Sequence, residues 1–522
     1  ADTNEYDTQL LQTGDPYLSQ SGISRDTDQT FYFDARLDWK RSFGDHNLTA
    51  MMMYMMREYR HDVLPNRNQG YSGRITYDYA NRYLLEFNFG YNGSERLASG
   101  TRFEFFPAAS IGWVVSSEKF WEPLSQYVNH LKVRASYGLV GSDDFNGKAP
   151  HFLYQNQIGI GKAYDFWTGL PTNEQKRNGA NFEILSIQDA GWEHVKKFDI
   201  GVDLSLFNQV NITFDYFHDV RDRILMSRAS WPIMLGYWGS TPWSNIGEVT
   251  NSGVELSLNW SKQFGKDWAV DFRSNFTYNQ NEYKYVDEPA YPYVWQTKTG
   301  KPLNTLTGYV AEGLFTSEEE IANWADQSQL GTNIMPGDIK YRDIDGNGRI
   351  TEEDKVMLSP YNNIPRIQYG FGLNVTYKKL DFGVFFNGSA KRKIMIDSGF
   401  APFLVSGGDG MEGETLARNL MQWIADDHWS VDNPNPNATY PRLGTTKSDV
   451  SNNTQASSYW VRNGNFLRFK TLEVGYRFPM CRVYFSGDNL AVFSPFKLWD
   501  PELSWNSYPL QRTFNLGVQF TF

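Results

Sequence analysis

The residues best suited to chemistry lie in one short acidic segment, DIDGNGRITEED, which runs from Asp343 to Asp354. Oxygen-bearing side chains recur in it at the first, third, fifth, ninth and twelfth positions, as in the twelve-residue calcium loop. Gly348 stands at the sixth position, where that loop turns sharply. The predicted ligands are Asp343, Asp345, Asn347, Arg349 through its carbonyl, Thr351 through a water molecule, and Asp354. Many oxygens with little octahedral rigidity favour Ca²⁺ over Mg²⁺.

An ion-free interpretation of this segment stays open. The twelfth residue is Asp354, whose arm is shorter than that of glutamate and reaches an ion less easily with both oxygens. A surface turn rich in Asp, Asn and Gly also forms without a metal. If Ca²⁺ binds, we expect a structural role, because the ion would pin a long loop that lacks a core of its own.

A second group of candidate residues consists of aromatic side chains in predicted loops. The densest cluster is WPIMLGYWGSTPW, whose rings belong to Trp231, Tyr237, Trp238 and Trp243. Rings at a channel mouth can stack on sugar faces or contact peptide side chains. The alternative is that they form small loop cores or an interfacial girdle. Further aromatic residues of these loops are Trp167, Tyr291, Tyr293 and Trp295.

Catalytic signatures are missing from the sequence. It contains no nucleophile elbow, no metalloprotease histidine pair, no phosphate-binding loop and no paired cysteines. The 7 histidines are scattered along the chain. The sequence therefore predicts a protein that is not an enzyme.

Composition restricts the class of protein further. The chain has 522 residues, 16% of them aromatic, and 44 glycines, a mix that favours strands and turns. Mean hydropathy is -0.54, and no stretch approaches the roughly 18 apolar residues of a membrane-spanning helix. The net charge of -11 comes without a basic cluster, which excludes a nucleic-acid partner. The N-terminal ADTNEYDTQLL is not a signal peptide, so we expect a processed chain or a fragment.

Strands are the elements that must position the candidate residues, because apolar and polar side chains alternate with a period of two. In 268–279, for example, Trp268, Val270 and Phe272 oppose Asp271 and Arg273. Most predicted strands have the ten or so residues of a tilted membrane strand, whereas soluble strands are shorter. The fifteen predicted strands are 31–40, 46–59, 68–80, 82–92, 102–115, 130–139, 197–206, 210–221, 249–262, 268–279, 366–378, 380–389, 466–478, 481–490 and 512–522. The sequence predicts an all-β protein, a transmembrane antiparallel β-barrel.

The connections alternate in length, which assigns the two sides of the membrane. Short turns belong on the periplasmic side and long loops outside. The short connections are 42–45, 81, 208–209, 263–266, 379 and 479–480, with a helical turn at 116–129. The long ones are 140–196, 222–248, 282–365, 390–465 and 491–511, and the calcium-loop motif lies in 282–365.

The number of strands implies an incomplete barrel. The first and last predicted strands both run inward, and two such strands cannot close an antiparallel barrel. Because open edges are not tolerated in lipid, we expect at least one more strand from residues upstream or from a second polypeptide. A strand missed in the weakly patterned segment 305–313 would remove this argument.

Six segments resemble the C-terminal half of a SusC/RagA-type TonB-dependent transporter. They follow the order of that family and extend over nearly the whole chain. They are FPAASIGWVVSSEKFW (106–121), LKVRASYGLVGS (131–142), NIGEVTNSGVELSLNW (245–260), GDIKYRDIDGNGRIT (337–351), FLRFKTLEVGYRFP (466–479) and NLGVQFTF (515–522). The resemblance implies a 22-stranded barrel around an N-terminal plug, of which residues 1–522 form the C-terminal part. The plug, the TonB box and the first strands of the family pattern are not found in this sequence.

The resemblance also implies a function and partners. It implies active import of nutrient oligomers, with glycan favoured over oligopeptide, energised through TonB and assisted by a SusD-type surface lipoprotein that acts as a lid. Trp231, Tyr237, Trp238 and Trp243 are then candidates for cargo or lid contact. Phe522 is the expected assembly signal, since the family's barrels end in an aromatic residue. Lipid, lipopolysaccharide and the remaining barrel and plug are the other expected partners. A passive porin and a surface adhesin are the competing functions.

Overall fold

The fold is that of a computed structural model, which describes residues 27–61, 65–145, 152–167, 174–187, 189–232, 234, 242–396, 422–444, 450–503 and 507–521. One antiparallel sheet of 15 strands dominates it, and each strand pairs with the next strand of the sheet in chain order. The strands are β1 (Gln29–Phe43), β2 (His46–Arg60), β3 (Asn66–Tyr79), β4 (Tyr83–Ser94), β5 (Phe103–Val114), β6 (Val128–Ser142), β7 (Glu193–Leu206), β8 (Val210–Ser227), β9 (Trp243–Phe264), β10 (Trp268–Tyr285), β11 (Ile367–Tyr377), β12 (Leu380–Ala390), β13 (Phe466–Arg477), β14 (Cys481–Phe493) and β15 (Thr513–Phe520).

Each of the fifteen predicted strands corresponds to one strand of this sheet, so the predicted all-β architecture is confirmed. The largest differences are at the outer ends of β8, β9 and β10, which have 18, 22 and 18 residues. The ends of β8 and β9 extend beyond the predicted strands into the loop predicted at 222–248, and that of β10 extends into the loop predicted at 282–365. Register shifts near Arg221 and Ile224 show where the hydrophobic alternation becomes irregular although the pairing continues.

The two faces of the sheet differ in chemistry, and the register shows it row by row. Val133, Val202 and Phe214 lie opposite one another on β6, β7 and β8. The next row carries Arg134, Gly201 and Asp215. Because residues in one row share a face, apolar and polar rows alternate across the sheet. In a membrane barrel the apolar face contacts lipid and the polar face lines the lumen.

Ion pairs occupy the lumenal face. Arg134 lies 3.1 Å from Asp199 and 3.5 Å from Asp203, and it also contacts Asp215. A methyl group on Gly201 would touch the Asp215 carboxylate and the Arg134 guanidinium, so both side chains would have to shift. The glycine lets these charges meet directly over the lumenal wall.

Aromatic rings lie on the lipid face and at the ends of the short turns. Phe386 stacks between Phe371 and Phe469, with ring centroids 5.2 and 4.7 Å apart. Trp268 and Tyr377 meet at 4.3 Å beside a periplasmic turn. Such rings fill the lipid face and form the interfacial girdle of outer-membrane barrels.

The short turns are tight and use left-handed backbone. The φ angle lies between +52° and +54° at four turn residues, Ala80, Asn81, Phe207 and Asn208. In each pair, two successive left-handed residues form a tight hairpin turn, three residues long between the paired strand ends. The predicted helical turn between β5 and β6 is confirmed as two 3-10 helices, Val115–Ser117 and Lys119–Leu124.

The long loops contain small elements of their own. A hairpin joins Gln157–Trp167 to Glu174–Ile184 between β6 and β7. Leu306–Gly308 pairs with Val356–Ser359, and Ala311–Leu314 pairs with Ile339–Tyr341. Lys393–Met395 pairs with Val461–Asn463. In the part of the loops that the structure describes, two short helices, α1 (Glu318–Ala322) and α2 (Gln422–Asp426), are also present, with 3-10 turns at Val294–Gln296, Glu352–Asp354 and Ser458–Trp460.

The segment 305–313 does not contribute a strand to the large sheet. Its two short strands pair inside the loop between β10 and β11. The described sheet thus has an odd number of antiparallel strands, and its end strands β1 and β15 run in the same direction. These two strands cannot pair with each other antiparallel.

Most of the buried apolar residues lie in the loops. The larger cluster includes Tyr309, Ile339, Ile350, Tyr440 and Trp460, each no more than 2% exposed. A smaller cluster at the outer ends of the strands contains Leu97, Phe106, Leu153 and Trp192. Among the described residues, no helix is both long and apolar enough to cross a membrane.

The face assignment predicts unequal effects of one charged substitution. Val202→Lys places an ammonium on the lipid face near the bilayer midplane and should cost about 2–4 kcal/mol. Ser205→Lys, three residues away on the lumenal face, should cost much less, because its side chain reaches water. Equilibrium unfolding of both variants in lipid vesicles measures the difference, and equal losses of stability would contradict the assignment.

Candidate functional site

Three long loops pack into one body, called here the loop body, at the end of the sheet that the loop lengths assign to the extracellular side. Its core joins Tyr309, Tyr341 and Ile350 of the β10–β11 loop to residues of two further loops. The β12–β13 loop contributes Tyr440 and Trp460. From the β14–β15 loop come Phe496, Leu498 and Trp499. The loops therefore have a common hydrophobic core. The expectation that the loop 282–365 lacks a core of its own is wrong, because contacts between residues far apart in sequence form this core.

A buried polar network holds the loop body together. The Arg442 guanidinium donates to Oδ2 of Asp338 at 3.1 Å, and its Nε lies 2.7 Å from Oδ1. Asn453 donates to the same carboxylate at 2.8 Å. Burial raises the pKa of Asp338 and outweighs the opposing effect of Arg442. Asp338 and Asn453 are fully buried. The hydrogen bonds within this network therefore replace those that the two side chains would make with water.

Amide side chains connect the β10–β11 and β12–β13 loops in the same interior. Gln327 donates to Oδ1 of Asn452 at 2.8 Å, and Asn452 donates to the carbonyl of Ile339 at 2.9 Å. The Tyr341 hydroxyl donates to the carbonyl of Asn452 at 2.7 Å. Each of these polar groups would be costly to bury without its partner.

A buried arginine attaches the third loop to the barrel wall. Arg468 lies on β13, and its side chain is fully buried. Its guanidinium contacts Asp500 at 2.6 Å and Glu502 at 2.7 Å, both in the β14–β15 loop. Asn489 of β14 accepts from the same guanidinium. Because Arg468 pairs with Asn387 in a lumenal row, this loop folds over the inner side of the wall.

The acidic segment forms a compact turn on the loop body. Ligand atoms of Asp343, Asp345 and Asp354 lie within 4.8 Å of one another. Gly346 and Gly348 have φ of +74° and +82°, as a tight loop requires. Ile350 anchors the turn, because it is fully buried in the core. The structure thus brings together three of the six predicted ligands through their carboxylates.

Backbone N–H groups donate hydrogen bonds to these carboxylates. Asp343 accepts from the N–H groups of Gly346 and Gly348, both at 2.7 Å. Asp354, fully buried, accepts from Ile344 at 2.7 Å and from Thr351 at 2.8 Å. A carboxylate has about four lone-pair sites, so these bonds leave room for a cation. The donor set of hard oxygens fits Ca²⁺.

The other predicted ligands are engaged locally. Oδ1 of Asn347 accepts from the Arg349 N–H at 2.8 Å, and its Nδ2 donates to Asp345. The Thr351 hydroxyl accepts from the Glu353 N–H at 3.2 Å and caps the short 3-10 helix Glu352–Asp354. An ion would have to displace or share the contacts of Asn347.

Two stacked rings lie against the acidic turn. Tyr293 and Trp295 are nearly parallel, with centroids 4.4 Å apart and planes at 7°. The Tyr293 hydroxyl donates to Oδ2 of Asp345 at 3.0 Å, and this bond raises the pKa of Tyr293. Trp295 Nε1 donates to the Glu353 carbonyl at 2.8 Å. Sequence reasoning named both rings as loop aromatics but had no signal that linked them to a turn some 50 residues away.

The cluster predicted at 231–243 is only partly described. Tyr237 and Trp238 lie outside the described residues, as does the predicted assembly signal Phe522. Trp231 is 37% exposed, in a turn where Ser230 and Arg228 both contact the buried carboxylate of Asp287. Trp243, by contrast, packs against the smaller core. That packing agrees with the alternative of a loop core for Trp243.

A sheet of long alternating strands beneath a folded extracellular body defines the class of outer-membrane β-barrel proteins. Residues 1–490 match the family described as TonB dependent receptor-like, beta-barrel, and the chain belongs to this family. The family is one of outer-membrane receptors and transporters and not of enzymes. The predicted family and the predicted location in the outer membrane are confirmed.

Proteins related in sequence are also TonB-dependent receptors. TonB-dependent receptor P3 of Formosa agariphila is 26% identical over 492 residues, which cover 86% of this chain and 45% of that protein. TonB-dependent receptor SusC of Bacteroides thetaiotaomicron is 25% identical over 498 residues, 90% of this chain and 45% of that protein. The chain thus spans about half the length of these relatives.

Solved structures support the fold. The structure of the RagAB peptide transporter matches with a TM-score of 0.70 at 20% identity, over 95% of this chain and 56% of that chain. The RagAB peptide importer in its open-open state matches with a TM-score of 0.70 at 18% identity, over 95% of this chain and 55% of that chain. The chain is therefore similar in sequence and fold to the SusC/RagA type.

The buried ion pair predicts a specific weakness of the loop body. Arg442→Met would leave the Asp338 carboxylate buried without its charged partner, at a cost of about 3–5 kcal/mol. Local opening should increase by roughly 100-fold or more, and limited proteolysis of the loops in the membrane-embedded protein measures it.

An exposed ion pair in the same loop body provides the matched control. Arg342, whose side chain is 55% exposed, pairs with Glu312 at 2.5 Å. Arg342→Met should change the cleavage rate by no more than about five-fold, because exposed pairs contribute little. Equal cleavage rates in the two variants would show that the Arg442–Asp338 pair does not hold the loop body.

Proposed function

We propose that this chain forms most of the wall of an outer-membrane importer of nutrient oligosaccharides that is energised through TonB. The observation that carries the proposal is its membership of the TonB-dependent receptor-like family, with a polar lumenal face beneath a folded loop body. Charged and amide side chains along the lumenal rows suit a hydrophilic passage. A wide lumen of this kind needs a plug to keep the membrane sealed.

Closure of the barrel is part of the same proposal. The end strands β1 and β15 run in the same direction, and unpaired edges are costly in lipid. Further strands must lie between them, and we assign these, with the plug and the TonB-contacting segment, to polypeptide beyond the 522 residues. The likeness to solved chains of which this one covers about half supports that assignment.

A SusD-type lipoprotein that closes over the loop body is the proposed partner. Apolar side chains project from the described loops, with Val431 84% exposed, Val294 79% and Tyr508 77%. Exposed apolar side chains that adjoin one another on a surface suit contact with a protein partner. The shared core of three loops provides the rigidity that such a lid needs.

Oligosaccharide is the proposed cargo because stacked rings stand on the loop body. The Tyr293–Trp295 pair presents flat surfaces that suit the apolar faces of sugars. An oligopeptide is the second candidate, supported by the fold likeness to structures described as the RagAB peptide transporter and importer.

Growth on defined nutrients tests the proposal and separates the candidates. A strain lacking the transporter should fail on one class of oligosaccharide as sole carbon source and grow normally on the matching monosaccharide. Failure only on peptides would favour the second candidate. Deletion of TonB should produce the same defect as deletion of the transporter.

Two outcomes would contradict active import. Uptake that persists without TonB, with steady large conductance of the purified protein in bilayers, would indicate a passive porin. Surface binding of the nutrient with no uptake defect in the deletion strain would indicate an adhesin.

We also propose that the acidic turn binds Ca²⁺ in a structural role. Three clustered carboxylates, two left-handed glycines and a buried anchor at Ile350 support it. The cation would neutralise Asp343, Asp345 and Asp354 where they crowd together. Because Tyr293 and Trp295 bond to this turn, bound Ca²⁺ would also fix the ring pair.

Calorimetric titration of the intact protein with Ca²⁺ tests this site. We expect one saturable binding event, accompanied by a change in Trp295 fluorescence, and loss of both signals in Asp343→Asn/Asp345→Asn. Glu352→Gln is the matched control, since Glu352 lies in the same turn, is 77% exposed and contacts Lys355. If titration of the wild-type protein with Ca²⁺ gave no heat of binding, the calcium proposal would be wrong. The import proposal would be unaffected.

A further inference from the structure

A depression of about 400 Å³ opens on the outer surface of the wall at the extracellular ends of β1 to β5. Phe31, Met56 and Phe103 form its apolar walls, and Gln69 and Gly93 lie between them. It is separate from the lumen and from the loop body. The cargo pathway proposed above makes no use of it.

The register places this depression on the lipid face. Met56, Gln69, Gly93 and Phe103 form one row across β2 to β5. Two strand periods nearer the periplasm, the corresponding row contains Met52, Gly73, Phe89 and Pro107. Both rows lie on the face opposite to Arg74 and Glu86, whose lumenal ion pair measures 2.7 Å.

Strand geometry gives the height of the depression in the membrane. Gly93 lies ten residues above Tyr83, which begins β4 beside the periplasmic turn. At a rise of about 3.3 Å per residue and a tilt near 40°, ten residues climb roughly 25 Å. That is about the full height of the apolar band, so the depression lies where outer-leaflet acyl chains meet their head groups.

Guanidinium groups surround it at this height. Glu58 accepts from Arg67 at 2.8 Å and from Arg60 at 2.9 Å, and Glu95 accepts from the Arg67 backbone N–H at 2.8 Å. Arg67 and Arg102 both line the depression. The three arginines and two glutamates leave a formal charge of +1 on the outward surface.

Two of the three lining arginines, Arg67 and Arg102, have guanidinium donors on the lipid face. Arg67 uses Nε for Glu58, and Arg102 uses Nε for the Leu97 carbonyl at 3.3 Å. In the described part of the chain their terminal nitrogens donate no further hydrogen bond, and the Glu95 carboxylate lies close enough to Arg67 to attract its charge. Arg67 is 55% exposed at its side chain. The planar fork of a guanidinium matches phosphate oxygens in pairs.

We propose that this depression binds a phosphorylated lipid of the outer leaflet, lipopolysaccharide, with its phosphate on Arg67 and Arg102. An acyl chain lies between Phe31 and Phe103, against Met56. The apolar walls lie at the level of the lipid's acyl chains. The guanidinium groups at the rim lie at the level of its phosphate. This lipid site depends on the outer-membrane location and on no property of the cargo. The lipid site can therefore be wrong while the import proposal holds, and the reverse.

The test is binding of purified lipopolysaccharide to the intact, delipidated transporter in detergent. Each guanidinium near a charged membrane surface contributes a factor of about five in affinity, so Arg67→Gln/Arg102→Gln should weaken binding roughly 25-fold. Arg74→Gln is the matched control, because Arg74 lies on the same strand but faces the lumen. It should bind within about two-fold of wild type.

Several results would overturn the proposal. They are unchanged binding in the double variant, an equal loss in Arg74→Gln, full competition by inorganic phosphate alone, and equally tight binding of phosphatidylglycerol vesicles. Heat-modifiable migration on gels verifies that each variant has assembled. If the double variant does not assemble, Arg67→Gln alone should still show about a five-fold loss.

Discussion

The hydrogen-bonding needs of the backbone in lipid are the constraint on which this structure depends. Each N–H and C=O in the hydrocarbon layer must find a partner within the protein, because the lipid offers none. Fifteen strands meet this need by pairing with their neighbours in sequence, through short turns on one side of the membrane. The period of two follows, since one face of each strand then meets lipid and the other meets water.

That arrangement moves the hydrophobic core out of the sheet. The lipid face needs no protein cover, and the lumenal face carries charges such as Arg134 with Asp199. Most of the buried apolar residues are found instead among the extracellular loops, where three long connections share one core. Arg468 joins this core to the wall, because its buried guanidinium holds both Asp500 and Glu502. A rigid body over the mouth is therefore built from segments far apart in the chain.

The strands of the barrel wall could be predicted from the sequence, whereas the packing of the loops could not, and the reason is physical. Alternation along a strand is a local signal, so all fifteen strands could be predicted. The family could also be predicted, from six segments that resemble it. The acidic turn was also local, and its three carboxylates do converge. Contacts such as Asn453 with Asp338, or Trp295 with Glu353, join residues far apart in sequence, and no period marks them. The stacked Tyr293–Trp295 pair was consequently seen only as two loop aromatics.

Accessibility along a single strand tests the alternation of lipid and water most directly. Spin labels placed one at a time from 269 to 278 on β10 can be probed with oxygen, which enters lipid, and with a nickel chelate, which stays in water. The fold predicts that the two accessibilities alternate in opposite phase with a period of two, with Val270, Phe272 and Phe276 on the lipid side. Uniform exposure to the chelate, or a period near 3.6, would contradict it.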